Sequence, residues 1–416
     1  MTHTEFVGTG ETDVPPFPLP PAGVPVIAND DAALRIAAEV ARQIAPGAAQ
    51  RDHENRFPAR ELDIFSGSGL WGITVPRAYG GAAVSYRTLG QVIRLIAKAD
   101  SAVAQLSQNH FATIASLVSC ASPEQARDLF ALVLKGYRFG NAFSERGIRH
   151  VGALKTRFQI TGDTVTLNGV KHYCTGALSA HLVQIVALDE DGHSHLAIAE
   201  RHAPGLNVIN DWSAFGQKGT ASGTVQLTNV QVPRNRVIPV WKAYRPDAPF
   251  ADSAISQFIQ AAIDAGLADA AIDATIDLVH TRARAWIDSG QEKASDDPYT
   301  IQMVGALKIR LNAGLALLDR AGDAIDYAVS TPSAQSVATA QIETAQAKVL
   351  TTESAMEATS RLFELAGASA TDRKLNLDYL WRNARTHTLH DPVRWKYAIV
   401  GNYYLNHALP PLHAWS

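Results

Sequence analysis

A chain of 416 residues, 46% hydrophobic and 19% charged, is long enough for two or three well-buried cores, which excludes disorder as its main theme. The formal net charge of −3 offers no basic field for a phosphate backbone or an anionic lipid surface, so neither nucleic acid nor membrane is an expected partner. Cys120 and Cys174 stand far apart and form no metal or redox pair, no leader-like N-terminus is visible, and no continuous apolar run approaches about 18 residues; the expectation is a cytoplasmic protein without a metal site.

Residues 1–29 are crowded with proline, which favours extended backbone and predicts a tail or wrapping arm. From 30 to 138 the pattern is helical: Ala33, Ile36, Ala37 and Val40 recur at helical spacing, with Asp30 or Asp31 as a possible cap. Pro76 to Gly81 should turn the chain between two helices. Between 139 and 240 the period becomes two. Phe158 and Ile160 alternate, as do Val165 and Leu167, and the pair Asn168-Gly169 suggests a hairpin turn; further strands are expected at 181–188 and 224–232. From 241 to 416 helices return, with Ile272, Ile276 and Val279 on one face and Val304, Leu307, Leu311, Gly314 and Leu318 on another, predicting a bundle. Helices, then strands, then helices give an α+β class, and no glycine-rich phosphate loop follows any strand.

Three stretches carry a resemblance: Val75-Pro76-Arg77-Ala78-Tyr79-Gly80-Gly81, Asn168-Gly169-Val170-Lys171-His172-Tyr173-Cys174-Thr175-Gly176, and Arg382-Asn383-Ala384-Arg385-Thr386-His387-Thr388-Leu389-His390-Asp391-Pro392. Their order and spacing resemble the acyl-CoA dehydrogenase superfamily, and the third is similar to the flavin monooxygenase branch that includes dibenzothiophene monooxygenase and the sulfur-acquisition oxidoreductases. The resemblance implies an N-terminal helical domain, a central β domain, a C-terminal helical bundle and a homotetramer. It further implies a two-component monooxygenase that receives reduced FMN from a separate NAD(P)H-dependent reductase and works with O2 through a C4a-hydroperoxyflavin on a small organosulfur compound. An FAD-dependent acyl-CoA dehydrogenase is the first alternative and a non-catalytic flavin-binding protein the second.

The choice between oxygenation and dehydrogenation turns on one position. Where many dehydrogenases of the superfamily carry a glutamate followed by glycine, this chain has Asp391 followed by Pro392, a shorter acid on restricted backbone, which disfavours a base placed over a substrate carbon. In the oxygenase reading His390 holds or supplies a proton beside the flavin; otherwise Asp391-Pro392 caps the last helix and both histidines pack. By resemblance Thr175 presents its hydroxyl to the flavin edge, with an ordinary strand threonine as the alternative. Asn141 and Ser144 fit the flavin or substrate, or a turn. His110 faces the substrate cavity by resemblance and reads as a buried, hydrogen-bonded histidine otherwise. Tyr173, Trp212 and Ser222 lie in the segments that cradle flavin in relatives, Trp212 offering an indole face or simply a core residue. Arg284 resembles the arginine that reaches a flavin phosphate across a subunit interface, with Arg282 as runner-up. Ser369 stands where the desulfurisation monooxygenases have a second phosphate-binding arginine; Arg373 is the nearest substitute.

Overall fold

The computed structural model describes residue 18 and residues 21–416, so the polyproline expectation for most of the first 20 residues lies outside the described residues. The following segment packs on the helical domain. Ile27 is buried, and the Pro25 carbonyl passes so close to Gly69, at φ +84°, that a Cβ there would lie 2.2 Å from it.

Six helices follow: α1 (Asp30–Ile44), α2 (Ala48–His53), α3 (Ala59–Gly67), α4 (Tyr86–Ala99), α5 (Ser101–Cys120) and α6 (Pro123–Val133). The cap of α1 is Asn29, whose side chain accepts from the Ala32 amide. Neither Asp30 nor Asp31 takes that role. Asp30 instead accepts from the Ser85 and Thr88 hydroxyls, 2.6 and 2.7 Å away, and ties α1 to the start of α4. Pro76 to Gly81 forms a tight turn ahead of α4, as its composition predicts.

Asp100 caps α5 through the Ala102 and Val103 amides while its other oxygen takes the Arg51 guanidinium at 2.7 Å. Held there, α5 is buried on two faces of different character. Val103, Leu106, Phe111, Ile114 and Leu117 join the helical core. Gln105, Gln108, Asn109, Ala112, Thr113 and Ser116, spaced three and four apart, form the other stripe.

The sheet contains β1 (Phe139–Ala142), β2 (Arg157–Thr161), β3 (Thr164–Lys171), β4 (Leu182–Leu188), β5 (Ser194–Glu200), β6 (Leu206–Ile209), β7 (Thr224–Pro233) and β8 (Val237–Ile238), in the order β6-β7-β3-β2-β4-β5-β8 with β1 parallel to β4. Here the Asn-Gly expectation is corrected. The β2–β3 hairpin turns at Gly162-Asp163, and Asn168-Gly169 lies within β3 at a shift of register against β7. Thr156 crosses over Gly169 with room for no side chain, since a Cβ there would sit 2.5 Å from its hydroxyl. Asn168 spends its side chain on Asn229 rather than on a turn.

A short pair, β9 (Tyr244–Arg245) and β10 (Ala248–Pro249), leads into α7 (Asp252–Thr281), α8 (Pro298–Ser330) and α9 (Ala334–Ala366), which form the bundle, followed by α10 (Asp378–His387) and α11 (Arg394–Asn406). The helical and sheet cores are separate clusters, and the space between them forms the site. By length and composition α8 is apolar enough to cross a membrane, although only 22% of that stretch is buried within the chain; here it packs along α9, α4 and α7.

Candidate active site

A cavity of ≈ 1340 Å³ opens between the sheet, the polar stripe of α5, the first turns of α7 and the segment from Thr386 to Trp415. Its sheet wall is built by strand and turn chemistry. Tyr173, at φ +59°, kinks the chain after β3, and Gly176, at φ +78°, completes the turn around Thr175. Gly140 of β1 approaches this turn so closely that a Cβ would meet the Ala177 amide at 2.5 Å, and the Asn141 amide donates to the Thr175 carbonyl. Asn141 and Thr175 therefore stand side by side on the wall.

Thr175 is buried, and its hydroxyl lies 2.7 Å from that of Ser222; Ser222 donates to Thr220, and Thr220 to the Gln217 carbonyl. The same carbonyl accepts from the Trp212 indole at 2.9 Å, which fixes the ring on the wall, edge-on to Tyr173. Ser144 bridges to His172 at the border. Thus Asn141, Ser144, Tyr173, Thr175, Trp212, Ser222 and His390 all line one cavity.

Two sites named from the sequence fall elsewhere. His110 is fully buried in the helical core: its Nε2 meets the Trp71 carbonyl at 2.9 Å and its Nδ1 accepts from the Phe139 amide, so it does not face the cavity. Burial drives its pKa down to about 3, and the neutral ring serves as a backbone tie between α5 and β1. Arg284 and Arg282 lie on the exposed loop after α7, and Ser369 and Arg373 are likewise exposed; none lines the cavity of its own chain.

The C-terminal wall holds a charged cluster. His390 Nδ1 lies 3.3 Å from Asp391, and the buried Lys396 ammonium is 4.0 Å from the same carboxylate. Burial opposes ionisation of Asp391, but His390, Lys348 and Lys396 outweigh it and hold the acid well below the usual carboxylate range. Asp391 is not a helix cap, since α11 begins at Arg394 after Val393. Burial pushes the Lys396 ammonium down to about 8 against the pull of Asp391.

Sequence reasoning passed over three residues that the fold brings here. His387, treated as packing, lines the cavity; its Nδ1 lies 2.5 Å from Asp264, a residue of α7 that also accepts from Lys348 at 3.1 Å and Thr352 at 2.7 Å. Its Nε2 has no partner. Gln217 is 3% exposed, lines the cavity and leaves both carboxamide atoms unpaired. An i, i+4 count within α10 shows only that His387 is one turn from Asn383; Asp264 lies 123 residues away, and no local pattern signals it.

The carboxamides supply a test of fit for a flavin ring. Asn141 Oδ1 and both Gln217 groups are buried without partners, each at a cost of about 1–3 kcal/mol if left so. A planar ring bearing alternating carbonyl and N–H groups satisfies such atoms, and the indole of Trp212 and the Thr175 hydroxyl border the same space. The wall fits the group. Among the described lining residues the carboxylates are Asp252, which accepts from Ser119, and Asp391, which is held by His390; neither is a free base.

Helices, one mixed sheet and a helical bundle closing on such a cleft define the acyl-CoA dehydrogenase-like class. The chain belongs to the acyl-CoA dehydrogenase family: the N-terminal domain of that family matches residues 31–137 and the C-terminal domain residues 258–395. Within it the chain is 31% identical to dibenzothiophene monooxygenase of Mycolicibacterium goodii, over 91% of this chain and 94% of the relative. A probable FMNH2-dependent monooxygenase of Pseudomonas putida, SfnC, is 29% identical over 91% of this chain and 96% of its own length. The crystal structure of FMN-bound TdsC from Paenibacillus sp. A11-2 superimposes with a TM-score of 0.88 at 29% identity, covering 92% of this chain and all of the other.

Proposed function

We propose that the chain is a flavin-dependent monooxygenase that accepts reduced FMN from a separate NAD(P)H-dependent reductase and oxidises a small organosulfur compound with O2. The observation that carries this is the meeting of the Thr175–Ser222 hydroxyl pair with two imidazoles, His387 and His390, in a cavity whose carboxylates are already engaged. Relatives named as dibenzothiophene and FMNH2-dependent monooxygenases support the same reading. When bound, reduced flavin supplies the two electrons with which O2 places one oxygen atom on sulfur and leaves the other as water.

The remaining steps belong to the chain. Asn141 and Gln217 hold the ring edge, Trp212 offers a flat face, and Ser144 and Tyr173 close the border. Ser222 gives its proton to Thr220, so Thr175 donates to Ser222 and turns its lone pairs toward the ring. Asp391 engages His390 Nδ1, which leaves Nε2 as the atom that exchanges a proton with the reacting oxygen. Arg284, exposed on its own chain, reaches the flavin phosphate of a neighbouring subunit in a homotetramer. A dehydrogenase reading would need a free carboxylate base, and Asp391 is committed to His390 and Lys396.

The test is coupling. With reduced FMN supplied steadily, oxygen consumption is divided between sulfoxide formed from dibenzothiophene and hydrogen peroxide released. Thr175→Ala and His390→Ala are expected to lower the product fraction by about tenfold or more and raise peroxide. Flavin reduction by an acyl thioester, with no oxygenated product from any sulfur compound, overturns the reading.

A further inference from the structure

Two chains of hydrogen bonds run into the cavity wall, and each has its direction set by a terminus that can only accept. The first ends on the Gln217 backbone carbonyl. That oxygen takes the Thr220 hydroxyl proton at 2.8 Å, so Thr220 must accept from Ser222, also at 2.8 Å, and Ser222 in turn must accept from Thr175 at 2.7 Å. The Thr175 proton is thereby spent inside the wall, and the hydroxyl offers the cavity lone pairs alone.

The second chain ends on a buried carboxylate. Through one oxygen Asp264 accepts from the Lys348 ammonium at 3.1 Å and the Thr352 hydroxyl at 2.7 Å, and these donors help to keep it ionised in spite of its burial. Its other oxygen lies 2.5 Å from His387 Nδ1, so that nitrogen carries the ring proton. Burial keeps the imidazole neutral against the pull of Asp264. Nε2 is then a bare lone pair, without a partner, on a buried side chain that lines the cavity. His390 is partly exposed beside Asp391 and can take up a proton, whereas His387 is fixed as an acceptor.

Acceptors locked in this way distinguish the redox states of a flavin ring. Oxidised isoalloxazine carries a single N–H, at N3, and its N5 is itself an acceptor; two-electron reduction places a proton on N5 and, in the neutral form, on N1. Gln217, with neither end of its carboxamide paired, can turn an N–H or an oxygen to either form and so does not discriminate. Thr175 and His387 cannot turn. Against an oxidised ring they set lone pair against lone pair, and a buried acceptor left so carries its full desolvation penalty.

We infer that the Thr175 hydroxyl and His387 Nε2 form an acceptor-only pair that selects reduced over oxidised FMN, with Ser222 and Asp264 as the positioning residues that fix its direction. The inference rests on the proposed flavin reading and deepens it by naming what distinguishes the incoming reduced flavin from the spent one. The same preference favours release of the ring once it is oxidised, which frees the site for the next reduced molecule.

Affinities of the full chain for oxidised and, under anaerobic conditions, reduced FMN are measured by calorimetry. The wild type should favour reduced FMN by at least about tenfold, which also places the two-electron midpoint of bound FMN about 30 mV above that of the free flavin. Thr175→Val, of nearly the same shape without the hydroxyl, and His387→Phe should each lower the preference by about threefold or more, whereas His387→Gln, which keeps an acceptor on a side chain that cannot be charged, should retain most of it. Nitrogen NMR of the chain labelled with 15N-histidine reads the tautomer without any flavin: His387 Nδ1 should be protonated and Nε2 bare. Equal affinity for the two redox states in the wild type, a preference untouched in both Thr175→Val and His387→Phe, or a proton on His387 Nε2 in the flavin-free chain overturns the inference. Binding of neither form defeats the flavin reading itself, whereas binding without preference defeats this inference alone.

Discussion

Asp264 remains ionised inside the bundle although burial works to raise its pKa, because Lys348, His387 and Thr352 surround it and hold it at about 2. A free aspartate titrates near 3.8, so the folded-state value is depressed. A depressed acid contributes stability that is complete above the unfolded pKa and is lost as pH falls through the folded one, here between about pH 4 and pH 2, and worth roughly 2 kcal/mol. Denaturant titrations at stepped pH should show that loss in the wild type. In Asp264→Asn this component of the acid slope should vanish, and stability at pH 7 should fall by about 3–5 kcal/mol because Lys348 is left buried without its counter-charge. A slope unchanged by the substitution would remove Asp264 as its source. The same carboxylate orients His387, whose value is lowered by burial, and so presents a neutral imidazole to the cavity. This arrangement marks where residue-level reading ends. Thr175, Trp212 and His390 are legible because each sits in a contiguous motif. Gln217 falls between the segments that carry such motifs and announces nothing in the sequence, and the His387–Asp264 pair joins α10 to α7 across the bundle. His110 errs the other way: a histidine beside cavity-lining residues points to the opposite face of the same helix, and only the partners of its ring nitrogens distinguish the two.

At the scale of elements, the loop between β6 and β7 is held by α10 as well as by its own turns. Asn383 accepts from the Gln217 amide at 2.6 Å and donates to Ser101, while Arg382 bonds Asp52 and the Phe215 carbonyl. Gly216 permits this approach: a Cβ there would lie 2.0 Å from the Arg382 carbonyl oxygen and 2.6 Å from the Thr386 hydroxyl. Gly216→Ala should therefore push the loop off α10 and carry Gln217, Trp212 and the hydroxyl chain with it. The expected result is FMN affinity lowered by about tenfold, read by fluorescence quenching, since overpacking of one methyl costs about 1–3 kcal/mol. Unaltered affinity would mean that α10 does not set the loop. Element types and order follow from hydrophobic period, because helices and strands bury faces at different spacing. The Asn168-Gly169 pair misleads because an Asn-Gly step suits both a turn and a bulge. What separates them is Thr156 crossing overhead and Asn229 across the strand, contacts that depend on the folded sheet.

At the scale of the molecule, the chain leaves a large apolar surface uncovered. On α8, Tyr299, Ile301, Ile309 and Tyr327 are 56 to 77% exposed, and Trp286 and Ile287 beside Arg284 are 69 and 85% exposed. Scattered apolar side chains need no explanation, but a helix of this length whose apolar stretch is mostly bare within its own chain is what the proposed tetramer would need as an interface. Closure by symmetry in the proposed tetramer would cover α8 and bring the Arg284 loop against a neighbouring subunit, a proposal consistent with an arginine that is exposed and absent from the cavity lining of its own chain. Ile309→Glu should then reduce the assembly to smaller species in sedimentation velocity and, by withdrawing the neighbour's guanidinium, weaken FMN binding by about tenfold. Arg284→Ala separates the two effects: assembly should persist while FMN affinity falls by a similar factor. A wild-type chain that sediments as a monomer and binds FMN as tightly as the Arg284→Ala variant would mean that the site is complete within one chain, and that α8 is bare for another reason.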